Sequence, residues 1–389
     1  MKRVLHILYS LERSGMEVML LNSSNEWGRH GFACDVLATA PAIGPLDHEM
    51  RTVGYQVHHL PFRGWFSLFP RIDFTRKFFR LCRSGYDVVH IHTEAGAPLF
   101  ALIAWLAGVR RIALTPHNTF RFQGLLRWRK LCERAFVRAL DGRYGIISKG
   151  VRQCELMRFH NNGASISNWI DTAYFRPPNA DERRHARMAL GISPDQFAIV
   201  SVGNCNSVKN HTAILHALPL LPSGLRPVYL HVGREETSYP ERKAAVALGI
   251  QDRVRFLGSQ PDMLPFLWAA DVFAMPSLHE GLGVAAIEAV AAGVALVCAQ
   301  TEGLSDVAAS TSYTTLTLTT AESVAEGLAY AASLPMGELR NRALADSRSI
   351  RERFSIRDGV QSIVTALYND PLPSPSAEDE IWGAHEDCA

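Results

Sequence analysis

The residues with the clearest chemical capacity form a short segment in which two carboxylates flank a glycine-bearing turn. Glu280 precedes Gly281, Leu282 and Gly283, and Glu288 stands eight positions after Glu280. Eight residues are about two turns of an α-helix, so both carboxylates can address one ligand at different heights. The glycines permit a tight turn and a close approach of the backbone to that ligand.

The elements around this turn predict where it lies in a fold. The apolar run before Pro276 is typical of a strand, and the alanine-rich run through Ala289 is typical of a helix. The free N–H groups and the dipole at the start of such a helix favour a phosphate. Ligands of open α/β sheets bind beyond the carboxyl ends of the strands, where this turn would lie. The segment therefore predicts a site for a phosphate-bearing ligand.

Short apolar runs alternate with helical patterns along both halves of the chain. A helix is expected at residues 16–29 of the first half. Strands are expected at residues 4–9, 33–38, 88–92 and 111–116, and then at 198–203, 228–233, 254–258, 272–275 and 295–299. This alternation predicts parallel sheets covered by helices on both faces.

The pattern restarts after the proline-bearing joint Phe175–Pro178. We therefore expect one α/β domain over residues 1–175 and a second over 176–353. A last helix is expected at about 354–369. The proline- and serine-rich, then acidic, residues 370–389 are predicted to be disordered.

Composition excludes several classes of protein. A chain of 389 residues is too long for one ordinary core and suits two domains. The net charge of +2 does not suggest a nucleic-acid partner. Seven scattered cysteines without a C-x-x-C pair predict neither a disulfide framework nor a zinc site, and fit a reducing cytosol. The apolar run at Val4–Leu8 is too short for a signal peptide, and no run approaches the ~20 residues of a spanning helix.

A resemblance emerges from the Glu-Gly-Leu-Gly turn and its helical glutamate. With the spacing Glu-x7-Glu, this segment resembles the signature of the retaining nucleotide-sugar glycosyltransferases of the GT-B fold, the glycosyl transferases group 1. Further matching segments extend the resemblance over nearly the whole chain: Ser14–Glu17, Asp87–His92, Thr115–Asn118, Asn168–Asp171, Asp252–Gly258 and Ala270–Phe273.

The resemblance implies an architecture and a reaction. The fold would be α/β GT-B, with two Rossmann-like domains whose parallel sheets face each other across a cleft. The last helix would return to the N-terminal domain, which would bind the acceptor. A sugar would move from a nucleotide diphosphate-sugar to a carbohydrate or lipid-linked acceptor with retention of configuration, and no metal or other cofactor would be needed.

The resemblance also implies roles for individual residues. Glu288 would bind the ribose hydroxyls of the donor, and Glu280 would contact the donor sugar. Lys209 would neutralise the leaving diphosphate. Gly15 would approach that diphosphate from the N-terminal domain, and His117 would lie beside the reacting sugar.

Further donor contacts would come from two turns. Backbone N–H groups around Leu282, Gly283 and Val284 would hold sugar and phosphate oxygens. The second turn contains Gly203 and Asn204. The family usually has an arginine where this chain has Asn204, so one cation beside the diphosphate is missing. The loss of such a contact costs about 2–4 kcal/mol of transition-state stabilisation.

Two other functions stay open at this point. The first is a nucleotide-sugar epimerase of the same fold, although the Glu-x7-Glu spacing favours transfer. The second is a non-catalytic scaffold that binds a nucleotide-sugar, for which Asn204 is the supporting feature. A dehydrogenase is not indicated, because the first strand leads into Ser10–Gly15, which is no G-x-G-x-x-G motif. The donor base, the sugar, the acceptor and the linkage are not fixed by these residues.

Two basic, aromatic stretches predict a position in the cell. Arg63–Arg83 and Arg121–Arg143 combine arginines and lysines with apolar side chains. Such segments can lie on an anionic membrane surface, and the alternative is a solvated helix face whose apolar side meets the core. Because the family's acceptors are often lipid-linked, we expect a cytoplasmic protein at the inner face of the membrane.

Overall fold

The structure of the chain, a computed structural model, describes residues 1–62, 68–119 and 122–369. The chain separates into two units. The N-terminal unit comprises Met1–Trp169 together with the chain from Ile356 onward, and the C-terminal unit comprises Ile170–Ser355. The predicted disordered tail at 370–389 lies outside the described residues.

The N-terminal unit is built on a seven-stranded parallel sheet of order β3-β2-β1-β4-β5-β6-β7. Its strands are β1 Lys2–Leu8, β2 Phe32–Ala38, β3 Val57–His59, β4 Val88–Ile91, β5 Arg111–Leu114, β6 Arg143–Ile146 and β7 Ala164–Ser165. Its helices are α1 Gly15–Asn22, α2 Ser24–Arg29, α3 Asp47–Thr52, α4 Leu68–Cys82, α5 Ala97–Leu106, α6 Gly124–Ala139, α7 Lys149–Phe159 and, late in the chain, α16 Ile356–Ile363.

The C-terminal unit repeats the plan with a six-stranded parallel sheet of order β10-β9-β8-β11-β12-β13. Its strands are β8 Phe197–Val202, β9 Pro227–Val232, β10 Val254–Phe256, β11 Val272–Met275, β12 Ala295–Ala299 and β13 Thr315–Thr317. Its helices are α8 Ala180–Ala189, α9 His211–Ala217, α10 Pro240–Ala247, α11 Leu264–Ala269, α12 Val284–Ala291, α13 Glu302–Ala308, α14 Ala321–Ser333 and α15 Met336–Arg353.

Both sheets follow the strand order of a Rossmann fold. The first strand of each unit lies between the second and the fourth, so the order reverses between β1 and β4 and again between β8 and β11. Most residues of the central strands are apolar, as expected for parallel strands that helices cover on both faces. Leu5, Ile7 and Val89 lie in the core of the N-terminal unit, and Ile199 and Val272 lie in that of the C-terminal unit.

The prediction of a single helix at residues 16–29 is wrong, because the structure has two helices here, separated at Ser23. The Ser23 hydroxyl donates to the carbonyl of Leu20 at 3.1 Å and accepts the indole N–H of Trp27 at 3.0 Å. A serine that bonds to the preceding turn competes with helix continuation.

The C-terminal segment belongs to the N-terminal unit. Helix α16 packs closely on Trp169, since a Cβ added to Gly359 would lie 2.4 Å from the Trp169 ring. A π-helical turn at Val364–Tyr368 follows α16. The Tyr368 hydroxyl then lies 2.7 Å from Nδ1 of His90 on β4. Among the helices of the described residues, none combines the length and the apolar character that crossing a membrane requires.

Candidate donor site and the polar edge of the N-terminal sheet

The predicted donor residues of the C-terminal unit gather at the carboxyl edge of its sheet. The loop after β8 contains Gly203, Asn204 and Lys209, and the loop after β11 contains Glu280. These two loops flank the point where the strand order reverses, which is where open α/β sheets bind ligands. The sequence separates Lys209 from Glu280 by 71 positions, and the fold brings them together.

Lys209 and Glu280 form an ion pair at this edge. The Lys209 ammonium donates to Oε1 of Glu280 at 2.6 Å, and their side chains are 25 % and 12 % exposed. The pair is therefore partly shielded yet open to a ligand. Such a lysine can move from a carboxylate to a phosphate oxygen without leaving the site, since both are anionic acceptors.

Glycines let the loops after β8 and β9 touch. A Cβ added to Gly233 would lie 2.0 Å from the carbonyl oxygen of Gly203, which no side chain can do without displacing that loop. The side-chain methylenes of Lys209 cover Gly203, with Cε 3.4 Å from the position of an added Cβ. The Lys209 side chain therefore packs directly on the backbone of Gly203.

Three asparagines, two of them absent from the sequence prediction, hold the Lys209 loop. Asn204 accepts the backbone N–H of Arg234 through Oδ1 at 3.0 Å. Asn206 accepts the Lys209 N–H through Oδ1 at 3.0 Å. Asn210 donates to the carbonyls of Pro276 and Thr319 at 3.1 and 2.9 Å and so joins this loop to the one after β11. The position of Asn206 and Asn210 beside Lys209 could have indicated their role, since asparagine side chains often stabilise turns.

Helix α12 begins as the sequence indicated. Gly283 is its N-cap residue with φ of 83°, a left-handed conformation that favours glycine, and an added Cβ would lie 2.6 Å from the Leu304 side chain. Leu282 is buried beside it. Within the described part of the chain, the N–H groups of Gly283 and Val284 donate to no protein acceptor. The start of the helix thus offers free donors to an anion.

Glu288 lies on α12 with a partly exposed side chain. Its carboxylate forms no hydrogen bond or ion pair among the described residues, and desolvation raises its pKa to about 8. Its charge also acts on Tyr174, whose hydroxyl donates to Asp262. A carboxylate without a protein donor is prepared to accept hydroxyl groups from a ligand.

The two predicted site residues of the N-terminal unit, Gly15 and His117, follow different strands, β1 and β5. Gly15 is the first residue of α1, directly after the N-cap Ser14. The Ser14 hydroxyl donates to Glu17, and burial raises the pKa of that carboxylate. His117 follows β5 and ends a chain of histidines.

The histidine chain consists of His117, His92 and His6. His117 Nε2 lies 3.0 Å from His92 Nδ1, and His92 Nε2 lies 3.0 Å from His6 Nδ1. Burial lowers the pKa of His117 to about 4 and that of His6 to about 3, and it holds that of His92 well below its usual range. All three rings are therefore neutral at pH 7, and each carries one ring proton.

One proton per ring makes the histidine chain directional. His6 Nε2 is buried without a partner. A buried nitrogen lone pair without a partner is less costly than a buried N–H. We therefore place the His6 proton on Nδ1, so that His6 donates to His92 and His92 donates to His117. His117 then keeps its proton on Nδ1, a nitrogen with no protein partner in the described residues.

A cavity of about 70 Å³ lies beside His117 within the N-terminal unit. Its polar lining includes Asn118, Glu94, Glu133 and Arg134. Arg134 donates to Glu94 at 2.9 Å and to Glu155 at 2.7 Å. The sequence analysis missed Glu94, although its place just beyond β4 at the carboxyl edge could have indicated it.

Helix α6, in the second basic stretch, buries cations and exposes apolar side chains. Lys130, Arg134 and Arg143 are buried, whereas Leu125 and Trp128 are 86 % and 63 % exposed. The alternative prediction, in which the apolar side of this helix packs on the core, is wrong at these positions. The carboxylates of Glu94, Glu133 and Glu155 pair with Lys130 and Arg134, so the cations of α6 face inward instead. Residues 63–67 of the first basic stretch and Arg121 of the second lie outside the described residues.

Comparison with known proteins identifies the class of enzyme. Residues 182–349 match the family model described as glycosyl transferases group 1, and residues 13–173 match that of glycosyltransferase family 4. Each match spans less than half of the chain, and the two together show that the chain is a glycosyltransferase. The expected glycosyltransferase activity and the two Rossmann-like domains are thereby confirmed.

Several proteins are similar to this glycosyltransferase in sequence. EpsF of Bacillus subtilis (strain 168), named as a glycosyltransferase, is 29 % identical over 75 % of this chain and 78 % of EpsF. A D-inositol 3-phosphate glycosyltransferase of Saccharomonospora viridis is 28 % identical over 93 % of this chain and 90 % of its own length.

Solved structures share the fold of this glycosyltransferase. HepE of Anabaena, in complex with UDP and glucose, superposes with a TM-score of 0.79 at 17 % identity, covering 94 % of this chain and 98 % of HepE. WaaG, a glycosyltransferase involved in lipopolysaccharide biosynthesis, has a TM-score of 0.70 at 16 % identity, covering 93 % of this chain and 99 % of WaaG.

Proposed function

We propose that this glycosyltransferase moves a sugar from a nucleotide diphosphate-sugar to an acceptor hydroxyl with retention of the anomeric configuration. The observation that carries the proposal is the Lys209–Glu280 pair, 2.6 Å across, at the carboxyl edge where the strand order of the C-terminal unit reverses. A cation, a carboxylate and the free N–H groups of a helix start are the groups that a departing diphosphate and its sugar require.

Each residue of the site has a role in this proposal. Lys209 shifts from Glu280 to the diphosphate as the bond between anomeric carbon and phosphate oxygen breaks. Glu280 then contacts the sugar hydroxyls and stabilises the positive charge that develops at the anomeric carbon. The N–H groups of Gly283 and Val284 bind diphosphate or sugar oxygens, and Glu288 accepts the ribose hydroxyls.

The acceptor attacks from the face that the diphosphate leaves. The new bond forms on that same face, so the configuration is kept, and the acceptor's proton passes to the departing phosphate oxygen. Gly15 and His117 serve this step from the N-terminal unit, and the tautomer assigned above makes His117 a donor to a sugar oxygen. Protein cations and N–H groups take the leaving-group charge, so the reaction requires no metal ion.

A transfer assay on a panel of donors tests this function. A thermal-shift screen with UDP, GDP and ADP comes first, since a ligand at about 100 times its dissociation constant adds roughly 2.7 kcal/mol of stability. UDP heads the panel because HepE was crystallised with it. Acceptor-dependent turnover that persists after desalting into EDTA supports metal-independent transfer. Turnover of the donor alone to an epimer indicates the epimerase, and binding without any turnover indicates the scaffold.

The cavity beside His117 favours an uncharged, hydroxyl-bearing part of the acceptor. Its cation Arg134 and the adjacent Lys130 are already paired with Glu94, Glu133 and Glu155, which leaves the group one negative charge in excess. A phosphate would find no unpaired cation among these residues. We therefore expect neutral sugars or polyols to be better acceptors than their phosphate esters when both are assayed with one donor.

Exposed apolar side chains on α6 support a position at a membrane surface. Leu125, Trp128 and Phe136 are 86 %, 63 % and 41 % exposed on a helix that also carries the exposed Arg129. We place the enzyme in the cytoplasm at the inner face of the membrane, where it acts in cell-envelope polysaccharide or glycolipid synthesis. Sedimentation with anionic vesicles should recover more protein than with neutral vesicles, and Trp128→Ser should reduce that recovery. Equal recovery from both kinds of vesicle contradicts the placement.

A further inference from the structure

A buried cluster behind the Lys209 loop combines the side chains that metal ions prefer. Cys205 follows β8, His211 is the first residue of α9, and His231 lies on β9. The thiol sulfur and one ring nitrogen of each histidine lie within 4.8 Å of one another. The three residues are at most 5 % exposed. Glu241 on α10 joins them, because its side chain bonds to the Cys205 thiol while its Oε2 is buried without a partner. We call these four residues the Cys/His cluster.

Three polar atoms of the Cys/His cluster are buried without a hydrogen-bond partner. They are Nδ1 of His211, Nδ1 of His231 and Oε2 of Glu241. Leaving one such atom unsatisfied in a protein interior costs about 1–3 kcal/mol. Three of them in one cluster indicate a bound species that satisfies them together.

The second nitrogen of His231 is arranged as it is in ligating histidines. Its Nε2–H donates to the carbonyl of Gly203 at 3.0 Å. A ligating histidine almost always donates its other ring N–H to a carbonyl or carboxylate, which fixes the tautomer and turns the free nitrogen toward the metal. The bond to Gly203 therefore leaves Nδ1 of His231 as the nitrogen available to a cation.

Cys205 and Glu241 supply the anionic part of the cluster. The Cys205 sulfur lies 3.5 Å from Nε2 of His231 and also bonds to the Glu241 side chain. Thiolate sulfur and carboxylate oxygen are both ligands that zinc accepts in proteins.

We propose that Cys205, His211, His231 and Glu241 bind one zinc ion. One thiolate, two imidazoles and one carboxylate form a four-coordinate set of the kind that zinc adopts. All four positions are taken by protein groups and the cluster is buried, so the site is structural rather than catalytic. Binding releases the thiol proton to solvent as the thiolate bonds to zinc.

The zinc ion would fix the loop that presents Lys209. Its ligands connect the loop after β8, the start of α9, strand β9 and helix α10. The carbonyl of Gly203 is held by the same His231. The sequence spacing gave no sign of this site, because the four ligands come from four separate elements. The proposal does not depend on the proposed sugar transfer, since zinc content is measured without any substrate.

Metal analysis of the whole chain tests the proposal. The protein is produced with a tag that contains no histidine, desalted over chelating resin and examined by inductively coupled plasma mass spectrometry. We expect one zinc ion per chain, and a thiolate-to-metal charge-transfer band after replacement of zinc by cobalt(II). A wild-type protein that holds no zinc after incubation with zinc, and shows no such band with cobalt(II), overturns the proposal.

Matched variants assign the ligands. Cys205→Ser and His231→Leu should each lose zinc at least tenfold on chelator treatment, whereas Cys298→Ser, at another buried cysteine of the same unit, should keep it. Zinc retention equal to wild type in both cluster variants refutes this ligand set. If a variant does not fold, the cobalt(II) spectrum of the wild-type protein still decides whether a thiolate binds the metal.

Discussion

The two units share a strand order but use their buried histidines in opposite ways. In the N-terminal unit, both ring nitrogens of His92 bond to other histidines, and those of His90 bond to Tyr368 and Thr115. Among the described residues, Nε2 of His6 is the one nitrogen of that chain of rings that is buried without a partner. In the C-terminal unit, three atoms of the Cys/His cluster lack partners, and so does the carboxylate of Glu288.

The N-terminal network satisfies most of its polar atoms with protein partners, whereas the C-terminal sites leave polar atoms available to a ligand. Close nitrogen atoms alone would suggest a metal in either unit, since His6, His90 and His92 also approach within 4.8 Å. The hydrogen bonds distinguish the two clusters, because a ring nitrogen that already bonds to a neighbour is not available to a metal ion. We therefore expect substitutions in the C-terminal unit to change ligand binding most, and those in the histidine chain to change orientation and stability.

The largest effect is expected from Lys209→Met. The substitution removes the cation that opposes the leaving diphosphate, so kcat/KM should fall by about 10²–10³. Steady-state transfer assays measure the change, with Lys243→Met, an exposed lysine of the same unit, as the control. A fall smaller than that caused by breaking the histidine chain would reverse the ranking of the two units.

The sequence alone did not predict most of this difference between the two units. Strands such as 272–275 and 295–299 were predicted to the residue, because continuous apolar runs indicate strands buried on both faces. Strand β6 was missed, since Arg143–Ile146 contains an arginine and a glycine. The edge strand β7 has only two residues.

The candidate site was predictable where one segment contains it. The start of α12 and the position of Glu288 followed from local spacing, whereas the assignment of Lys209 to the same site rested on a family resemblance. The Cys/His cluster and the inward-facing Arg134 could not be predicted, because each depends on partners that tertiary structure alone brings close. Burial reverses the usual solvent preference of an arginine when it meets a carboxylate such as Glu155, 2.7 Å away.

A smaller effect with a distinctive pH dependence is expected from Glu288→Gln. The folded-state pKa of about 8 lies above the usual 4.5, so the empty protein should lose stability as pH rises through that interval. Ribose hydroxyls donate to the ionised form, so nucleotide affinity should increase as pH rises over the same range. The variant should bind about tenfold more weakly, since a hydrogen bond to a charged group contributes about 1.5 kcal/mol or more.

Calorimetric titration of nucleotide below and above pH 8 measures this prediction. The wild type should show stronger binding at the higher pH, and Glu288→Gln should show no comparable change. Glu326→Gln, at an exposed glutamate of the same unit, serves as control and should behave as wild type. Nucleotide affinity that is independent of pH in the wild type would show that Glu288 does not accept the ribose hydroxyls.

The histidine chain should affect the reaction more weakly and through orientation. His92→Phe keeps an aromatic ring but removes both hydrogen bonds of the chain, so the proton of His117 is no longer confined to Nδ1. We expect kcat to fall about tenfold with little change in the donor KM, which is the equivalent of about one hydrogen bond. Nitrogen NMR of labelled histidine should show one tautomer of His117 in the wild type and a mixture in the variant. A single unchanged tautomer in His92→Phe contradicts the directional chain, and His58→Gln is the control for a histidine outside it.

The smallest effect is expected where the C-terminal segment meets the N-terminal sheet. Tyr368→Phe removes the hydroxyl that bonds to Nδ1 of His90 at 2.7 Å and changes little else. The free energy of unfolding should fall by about 1 kcal/mol, while transfer activity stays unchanged. Urea denaturation of the variant and of Tyr9→Phe, whose exposed ring makes no such bond, gives the comparison. Because His90 keeps its contact with Thr115, a loss of activity in Tyr368→Phe would mean that this network reaches the reacting groups and is not only structural.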